Sequence, residues 1–371
     1  MMKHVVQVLS DTNIGGAGKY LINYLKHCDR TSFRVSVVLP QNSQLLDYIK
    51  DDSGITIYEA PFMADCSFDK RCVKYLRNLF AKIKPDILHT HACLSARIAG
   101  RTSGVPIVLA TRHCIEPLHH GIKALAYSML NNALCDYYIA VSQAVVENLI
   151  ASGIKPEKIK TVNNGVEPMP VMTPEQIATT RAKYGIMEDE IAFGIFGRLE
   201  PIKGHKYFIK AAREVLKTQP KTKFLIVGGG SLEKELKERV VRYNLQNHVI
   251  FTGFVNNTTE LLNAVDVNVN ASESEAMSLS ILEAMSLSKA SIATKNGGNS
   301  ELIQDNKNGL LVGYADSASL ALAMTRLICE PQTKSRIGKT AGEKFFAAYT
   351  VEKMVTNLET LYQEVSANVD R

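Results

Sequence analysis

Residues 190–204 read EIAFGIFGRLEPIKG. An apolar run from Ile191 to Phe196 meets a turn holding Gly197, Arg198, Pro201, Lys203 and Gly204. Such a run predicts a buried strand, and the glycines and proline end it. A helical pattern follows from Tyr207 to Leu216, then a second apolar run, TKFLIVG, at 222–228. Its GGGS turn opens another helix that ends near Tyr243. HVIFTG (248–253), DVNVNAS (266–272), ASIAT (290–294) and GLLVG (309–313) add short strands, and the tail from Ser335 onward reads as helix. Strands alternating with helices predict a parallel sheet covered on both faces, with its ligands at the carboxyl ends of the strands.

The same alternation occurs upstream. HVVQVLS, FRVSVVLP, ITIYEA, DILHTH, VPIVLATRH and DYYIAVS read as strands between residues 4 and 142. Helical patterns lie between them, and the last runs from Gln143 to Ala151. Residues 166–180, with Pro168, Pro170 and Pro174, read as a linker. The 371 residues therefore divide into a first α/β domain over 1–165 and a second over 181–349.

Bulk composition narrows the function classes. The apolar fraction is 46% and the charged fraction 22%, as in a soluble globular protein. Seven scattered cysteines include no CxxC pair, which predicts reduced thiols in a cytoplasmic protein and no structural zinc. The first residues read as a strand, not a signal peptide, and no apolar stretch has membrane-spanning length. The GGAG spacing at 15–18 is not GxGxxG, and no GxxxxGK[ST] occurs, which argues against a dehydrogenase and a P-loop NTPase. Residues 1–165 hold 19 Lys and Arg against 13 Asp and Glu, so the whole net charge of +6 lies there. Lys70, Arg71, Lys74, Arg77, Lys82 and Lys84 are its densest run, interleaved with apolar Val73, Leu76, Leu79, Phe80 and Ile83 at helical spacing. That combination predicts an anionic partner surface, with a plain solvated helix as the alternative.

Three segments of the second domain carry candidate chemistry. Arg198 and Lys203 sit just past a strand end, where a planar fork of donors and a point charge suit a diphosphate. In ASESEAMSLSILEAMSLSK (271–289), Glu275 lies just before a helix starting near Ser278. Glu283 stands four residues after Leu279, beside the apolar face formed with Leu282 and Ser286. Two ionised carboxylates placed this way accept hydrogen bonds from sugar hydroxyls. In KNGGNSELI (295–303), Gly297 and Gly298 let the backbone approach an anion, and a helix from about Ser300 would aim N–H groups at it.

Order and spacing of these segments resemble the family 4 retaining glycosyltransferases of GT-B fold over nearly the whole chain. The resemblance implies two Rossmann-like, doubly wound α/β domains facing each other across a cleft, with a C-terminal helix over about 350–371 packing back on the first. Glu275 and Glu283 match the E-x7-E element, whose first Glu meets the donor sugar and whose second meets the ribose. Arg198 and Lys203 match the diphosphate pair of GRLxxxKG, and Gly297, Gly298 and Glu301 resemble the GGxxE loop. Ser278 and Leu279 fall in the donor-binding stretch. VIFTGFV places Phe254 and Val255 near the nucleobase, Gly16 resembles the loop near the transferring phosphate, and VNNGVE resembles the strand end before the linker. His113 resembles the first-domain histidine that contacts the donor sugar. His91, at a strand end, is a candidate for the acceptor side, with a satisfied structural histidine as the alternative, and Arg112 is a second acceptor-side candidate. One departure stands out: Ala276-Met277-Ser278 follows Glu275 where the family often reads GFG, and side chains there would restrict a backbone that glycine frees.

The resemblance implies transfer of a hexosyl or N-acetylhexosaminyl group from a nucleotide diphosphate sugar, foremost a UDP-sugar, with retention at the anomeric carbon. The acceptor is a glycan, a glycolipid or a small hydroxyl compound, and cell-surface polysaccharide synthesis is the expected setting. Arg198, Lys203 and the Gly297–Gly298 amides would stabilise charge growing on the leaving diphosphate. Domain closure would bring Gly16 and His113 onto the donor and exclude water. No cofactor, metal or nucleic acid is expected, and the inner membrane face is an expected docking surface for the basic first domain. Two rival readings are a nucleotide-sugar epimerase on the same fold, which needs no acceptor, and a noncatalytic sugar-nucleotide-binding protein.

Overall fold

The computed structural model describes residues 2–91 and 93–369. They form two compact units, one running to Val166 and resuming at Val351, the other spanning Glu167–Thr350.

The first unit contains β1 (Lys3–Leu9), β2 (Phe33–Pro40), β3 (Thr56–Ala60), β4 (Ile87–His91), β5 (Ile107–Arg112), β6 (Tyr137–Ala140) and β7 (Ile159–Thr161). Their spatial order is β3-β2-β1-β4-β5-β6-β7, with parallel pairing throughout. The central strands are buried on both faces, which accounts for runs such as VVQVL that do not alternate. Strand order reverses between β1 and β4, the place where such sheets open a crevice at their carboxyl ends. The closing helix Val351–Val369 belongs to this unit. Val351, Met354, Val355, Leu358, Leu361, Tyr362 and Val365, spaced by three and four, join the core built on β1 and the Gly16–His27 helix.

The basic helix Lys70–Ile83 corrects one expectation. Asp69 caps it, accepting from Arg71 N at 2.7 Å, but the apolar stripe turns inward. Cys72, Leu76 and Phe80 are buried, and the helix packs on its neighbour Leu94–Ser103. Its five basic residues, and Lys84 at its C-cap, stay exposed. Exposed apolar side chains occur instead on the helix Gly121–Leu134, where Ile122 is 87%, Leu125 63% and Met129 65% exposed.

The second unit contains β8 (Ile191–Phe196), β9 (Thr222–Val227), β10 (Val249–Gly253), β11 (Val267–Asn270), β12 (Ala290–Thr294) and β13 (Leu310–Val312). Their order is β10-β9-β8-β11-β12-β13, again parallel, with its reversal between β8 and β11. The segment read as a linker over 166–180 is helical from Pro174 to Lys183. Thr173 Oγ1 accepts from Gln176 N at 3.3 Å, and Gln176 Oε1 accepts from Thr173 N at 2.9 Å. This capping box, with Pro174 in the first turn, starts a helix where proline content alone reads as a breaker.

Candidate functional site

The reversal between β8 and β11 brings the two most informative segments together. After β8 the chain makes the turn Pro201–Lys203 and enters Gly204 at φ +70°. A Cβ on Gly204 would lie 2.0 Å from the Ala271 carbonyl oxygen, so only glycine permits this approach. Glu273 N donates to Ile202 O at 2.7 Å and locks the loops following β8 and β11 to each other. Lys203 Nζ thereby reaches Glu275 Oε1 at 2.6 Å.

Glu275 Oε1 also accepts from Ser272 Oγ at 2.7 Å and from Asn270 Nδ2 at 3.2 Å. All three donors converge on one carboxylate oxygen. Oε2 has no protein partner among the described residues, and it remains an acceptor for a ligand hydroxyl. Asn270 holds the frame: its Nδ2 also donates to Ser278 Oγ at 3.0 Å, and its Oδ1 accepts from Asn299 Nδ2 at 3.1 Å. Neither asparagine nor Ser272 stands out in the sequence, because each acts only through neighbours that folding supplies.

The helix Leu279–Ser286 starts after Ser278, as expected, but it is not apolar on one face only. Ile281 through Ser286 are all buried, and Glu283 is among them at 8% exposure. Leu279 is half-buried at the first turn. The departure at 276–278 leaves no left-handed backbone: Ser278 takes φ −74°, and neither Ala276 nor Met277 has positive φ. Glycine's freedom is not required here, and Ala276 and Met277 are simply buried.

Arg198 lies on the same loop as Lys203, directly after β8. The Gly-rich turn after β9 clamps its loop: Leu199 N donates to Gly229 O at 2.9 Å, and Leu232 N to Leu199 O at 3.0 Å. Ser231 Oγ donates to Glu200 Oε2 at 3.0 Å. The Arg198 side chain is exposed and has no partner among the described residues. GGGS does more than start a helix: it also fixes the Arg198 loop, a task that three glycines at a strand end signal. Beyond β10, Phe254 is 75% exposed next to Gly229, whereas Val255 packs on the core.

The Gly297–Gly298 loop departs from expectation. Gly298 N donates to Glu275 O at 2.8 Å, so this amide is not available to an anion. A Cβ at Gly298 would lie 1.9 Å from the Ala276 carbonyl oxygen. Close packing against the acidic segment is the reason for this glycine. The following helix, Asn299–Leu302, has only four residues. Glu301 lies within it, and its backbone carbonyl accepts from Lys344 Nζ.

In the first unit, Gly16 begins the helix Gly16–His27 beyond β1, with open space around its Cα. His113 follows β5, half-buried, and burial lowers its pKa to about 3. His91, at the end of β4, does not line an open surface. It is fully buried, with Nδ1 2.8 Å from His113 Nε2 and Nε2 3.0 Å from Gln7 Oε1. Arg112 is also buried, and it pairs with Glu116 and donates to Tyr127 OH at 2.9 Å. Both side chains are buried and engaged within the first unit.

Known proteins resemble this chain in both units. Residues 14–169 match the family model described as Glycosyltransferase Family 4, and residues 176–344 match Glycosyl transferases group 1. The UDP-Gal:alpha-D-GlcNAc-diphosphoundecaprenol alpha-1,3-galactosyltransferase of Escherichia coli is 26% identical, over 91% of this chain and 90% of the relative. The putative glycosyltransferase EpsD of Bacillus subtilis is 25% identical over 89% and 90%. The crystal structure of Anabaena HepE with UDP and glucose superposes with a TM-score of 0.86 at 24% identity, covering 97% of this chain and all of that one.

Proposed function

The chain is a GT-B-fold glycosyltransferase related to the group 1 and family 4 enzymes, and from that premise we propose that it retains anomeric configuration while moving a hexosyl or N-acetylhexosaminyl group from a UDP-sugar to a lipid-linked glycan. One observation carries the reading. Lys203 and Glu275 meet where β8 and β11 diverge, the carboxylate keeps one oxygen open, and Arg198 is an exposed second cation on the same loop after β8.

In this reading the second unit binds the donor. Arg198 and Lys203 take the diphosphate and stabilise its growing charge as the sugar–oxygen bond breaks. Glu275 Oε2 accepts from a sugar hydroxyl, Glu283 from the ribose, and the Phe254 ring stacks on the base. Both glutamates lie on one segment of one unit, so they hold the donor and do not flank it as a glycosidase pair would. The leaving phosphate then takes the acceptor proton on the same face. His113 contacts the donor sugar. The Escherichia coli relative, named for a UDP-Gal donor and a diphosphoundecaprenol-linked acceptor, supports the choice of both substrates.

The lipid-linked acceptor places the first unit at an anionic membrane face. Its support is the Gly121–Leu134 helix, with Ile122, Leu125 and Met129 outward, next to a helix pair that carries the basic run. No helix among the described residues is long and apolar enough to cross a membrane. The test incubates a UDP-sugar panel with extracted membrane lipids and short glycans, read by mass spectrometry. A lipid-linked product supports the reading, and turnover of soluble acceptors alone overturns its acceptor half. Co-sedimentation with phosphatidylglycerol vesicles should be salt-sensitive and lost in an Ile122→Ser, Leu125→Ser, Met129→Ser variant. A variant that still binds as wild type does removes the membrane surface from this helix.

A further inference from the structure

We propose that Tyr362, on the closing helix, is a positioning residue that holds His113 as its Nε2–H tautomer through Gln7 and His91. The inference rests on the reading that His113 contacts the donor sugar.

The chain of contacts is continuous and lies within the first unit. Gln7 Nε2 donates to Tyr362 OH at 2.8 Å, and His89 Nδ1 lies 2.6 Å from the same hydroxyl. His89 Nε2 lies 2.6 Å from Thr111 Oγ1. On the other side, Gln7 Oε1 faces His91 Nε2 at 3.0 Å, and His91 Nδ1 faces His113 Nε2 at 2.8 Å. Gln7, His89, His91 and Tyr362 are fully buried.

Proton placement follows from donor counting. Burial keeps all three imidazoles neutral at pH 7, so each has one N–H and one bare nitrogen. A phenol is a stronger acid than a neutral imidazole N–H, and an imidazole nitrogen is a strong acceptor. Tyr362 O–H therefore donates a hydrogen bond to His89 Nδ1, and His89 Nε2–H donates to Thr111 Oγ1. The phenol oxygen is left to accept, which turns the Gln7 amino group toward it and the Gln7 oxygen toward His91. An amide oxygen only accepts, so His91 is protonated at Nε2 and bare at Nδ1. That bare nitrogen accepts a hydrogen bond from His113 Nε2–H. His113 Nδ1, with no protein partner among the described residues, is left as an acceptor for a sugar hydroxyl. Reversing the Gln7 amide would reverse every proton and present Nδ1–H instead. The hydroxyl of Tyr362 is the group that selects between the two.

Tyr362→Phe keeps the ring that packs edge-on against Phe33 and Tyr24 and removes only this hydroxyl. Long-range proton–nitrogen NMR on the full chain, labelled at histidine, reads the tautomers. Wild type should show His113 protonated at Nε2 and bare at Nδ1, and Tyr362→Phe should move it toward Nδ1–H or a mixture. Hydrolysis of UDP-glucose should fall about tenfold in kcat with little change in donor KM. In a His113→Ala background, Tyr362→Phe should add no further loss, because its effect passes through the missing ring. If Tyr362→Phe folds poorly, Gln7→Leu cuts the same link and should give the same tautomer change. An unchanged His113 tautomer in both variants, or the same proportional loss of kcat with and without His113, overturns the proposal. Wild-type turnover in His113→Ala, together with the tautomer change, would overturn the donor-contact reading and leave the relay standing.

Discussion

Lys203 Nζ and Glu275 Oε1 lie 2.6 Å apart across 72 residues of sequence. The pair joins the two loops at the sheet's reversal point, and it keeps a largely buried carboxylate compensated before any ligand arrives. Lys203→Ala should therefore affect folding as well as turnover. It leaves the carboxylate with only Ser272 and Asn270, at a cost of about 1–3 kcal/mol. Urea denaturation should show that loss, and adding Glu275→Gln should recover part of it because the unpaired charge is gone. Turnover should fall about 100-fold in either chain. A Lys203→Ala protein with wild-type stability and turnover would dissociate the pair from both roles.

The two glutamates should separate in binding experiments. Glu283→Ala is expected to weaken UDP about tenfold, roughly 1.4 kcal/mol, because the ribose loses an acceptor. Glu275→Ala should leave UDP affinity within about twofold and chiefly impair transfer, since in the proposed function its open oxygen holds a sugar hydroxyl. Calorimetry with UDP distinguishes them, and equal large losses in both would refute the division.

The alternation of strands and helices was legible because period and composition are local properties. So were Arg198, Lys203, Glu275 and Glu283 as candidates. What the sequence could not contain was contact between distant positions. Asn270 and Ser272 are ordinary polar residues until folding aims both at Glu275. Tyr362 reads as one more apolar-face residue until it meets Gln7, 355 positions earlier. Amphipathic spacing told that the Lys70–Ile83 helix has an apolar stripe, but not that Leu94–Ser103 covers it. The pair Gly297–Gly298 invited an anion-binding reading, whereas the Gly298 amide is already engaged by the Glu275 carbonyl.

His205 gives a pH-dependent test. It is buried beside Lys203, and neither ring nitrogen has a partner among the described residues. Burial first, and the Lys203 charge second, lower its pKa from 6.5 to about 4. The unfolded chain therefore takes up this proton before the native one does, and stability falls as pH drops from 6.5 toward 4. His205→Leu should remove that share, gaining about 2 kcal/mol relative to wild type between pH 7 and pH 5. Denaturation midpoints at the two pH values measure it. A difference that stays constant with pH would mean that His205 titrates normally.

Stereochemistry gives a test that needs no mutant. Proton NMR of the first-formed product should show the anomeric configuration of the donor unchanged. An inverted anomer would remove the front-face mechanism.

In the proposed function the loop after β8 holds the diphosphate of the donor, with Arg198 as its exposed cation. Calorimetric titration of wild type and Arg198→Ala with UDP and with uridine tests it most directly. UDP should bind wild type far more tightly than uridine does. Arg198→Ala should lose about 1.5–3 kcal/mol of UDP affinity while binding uridine as before. An Arg198→Ala protein that binds UDP as tightly as wild type would remove Arg198 from the diphosphate site.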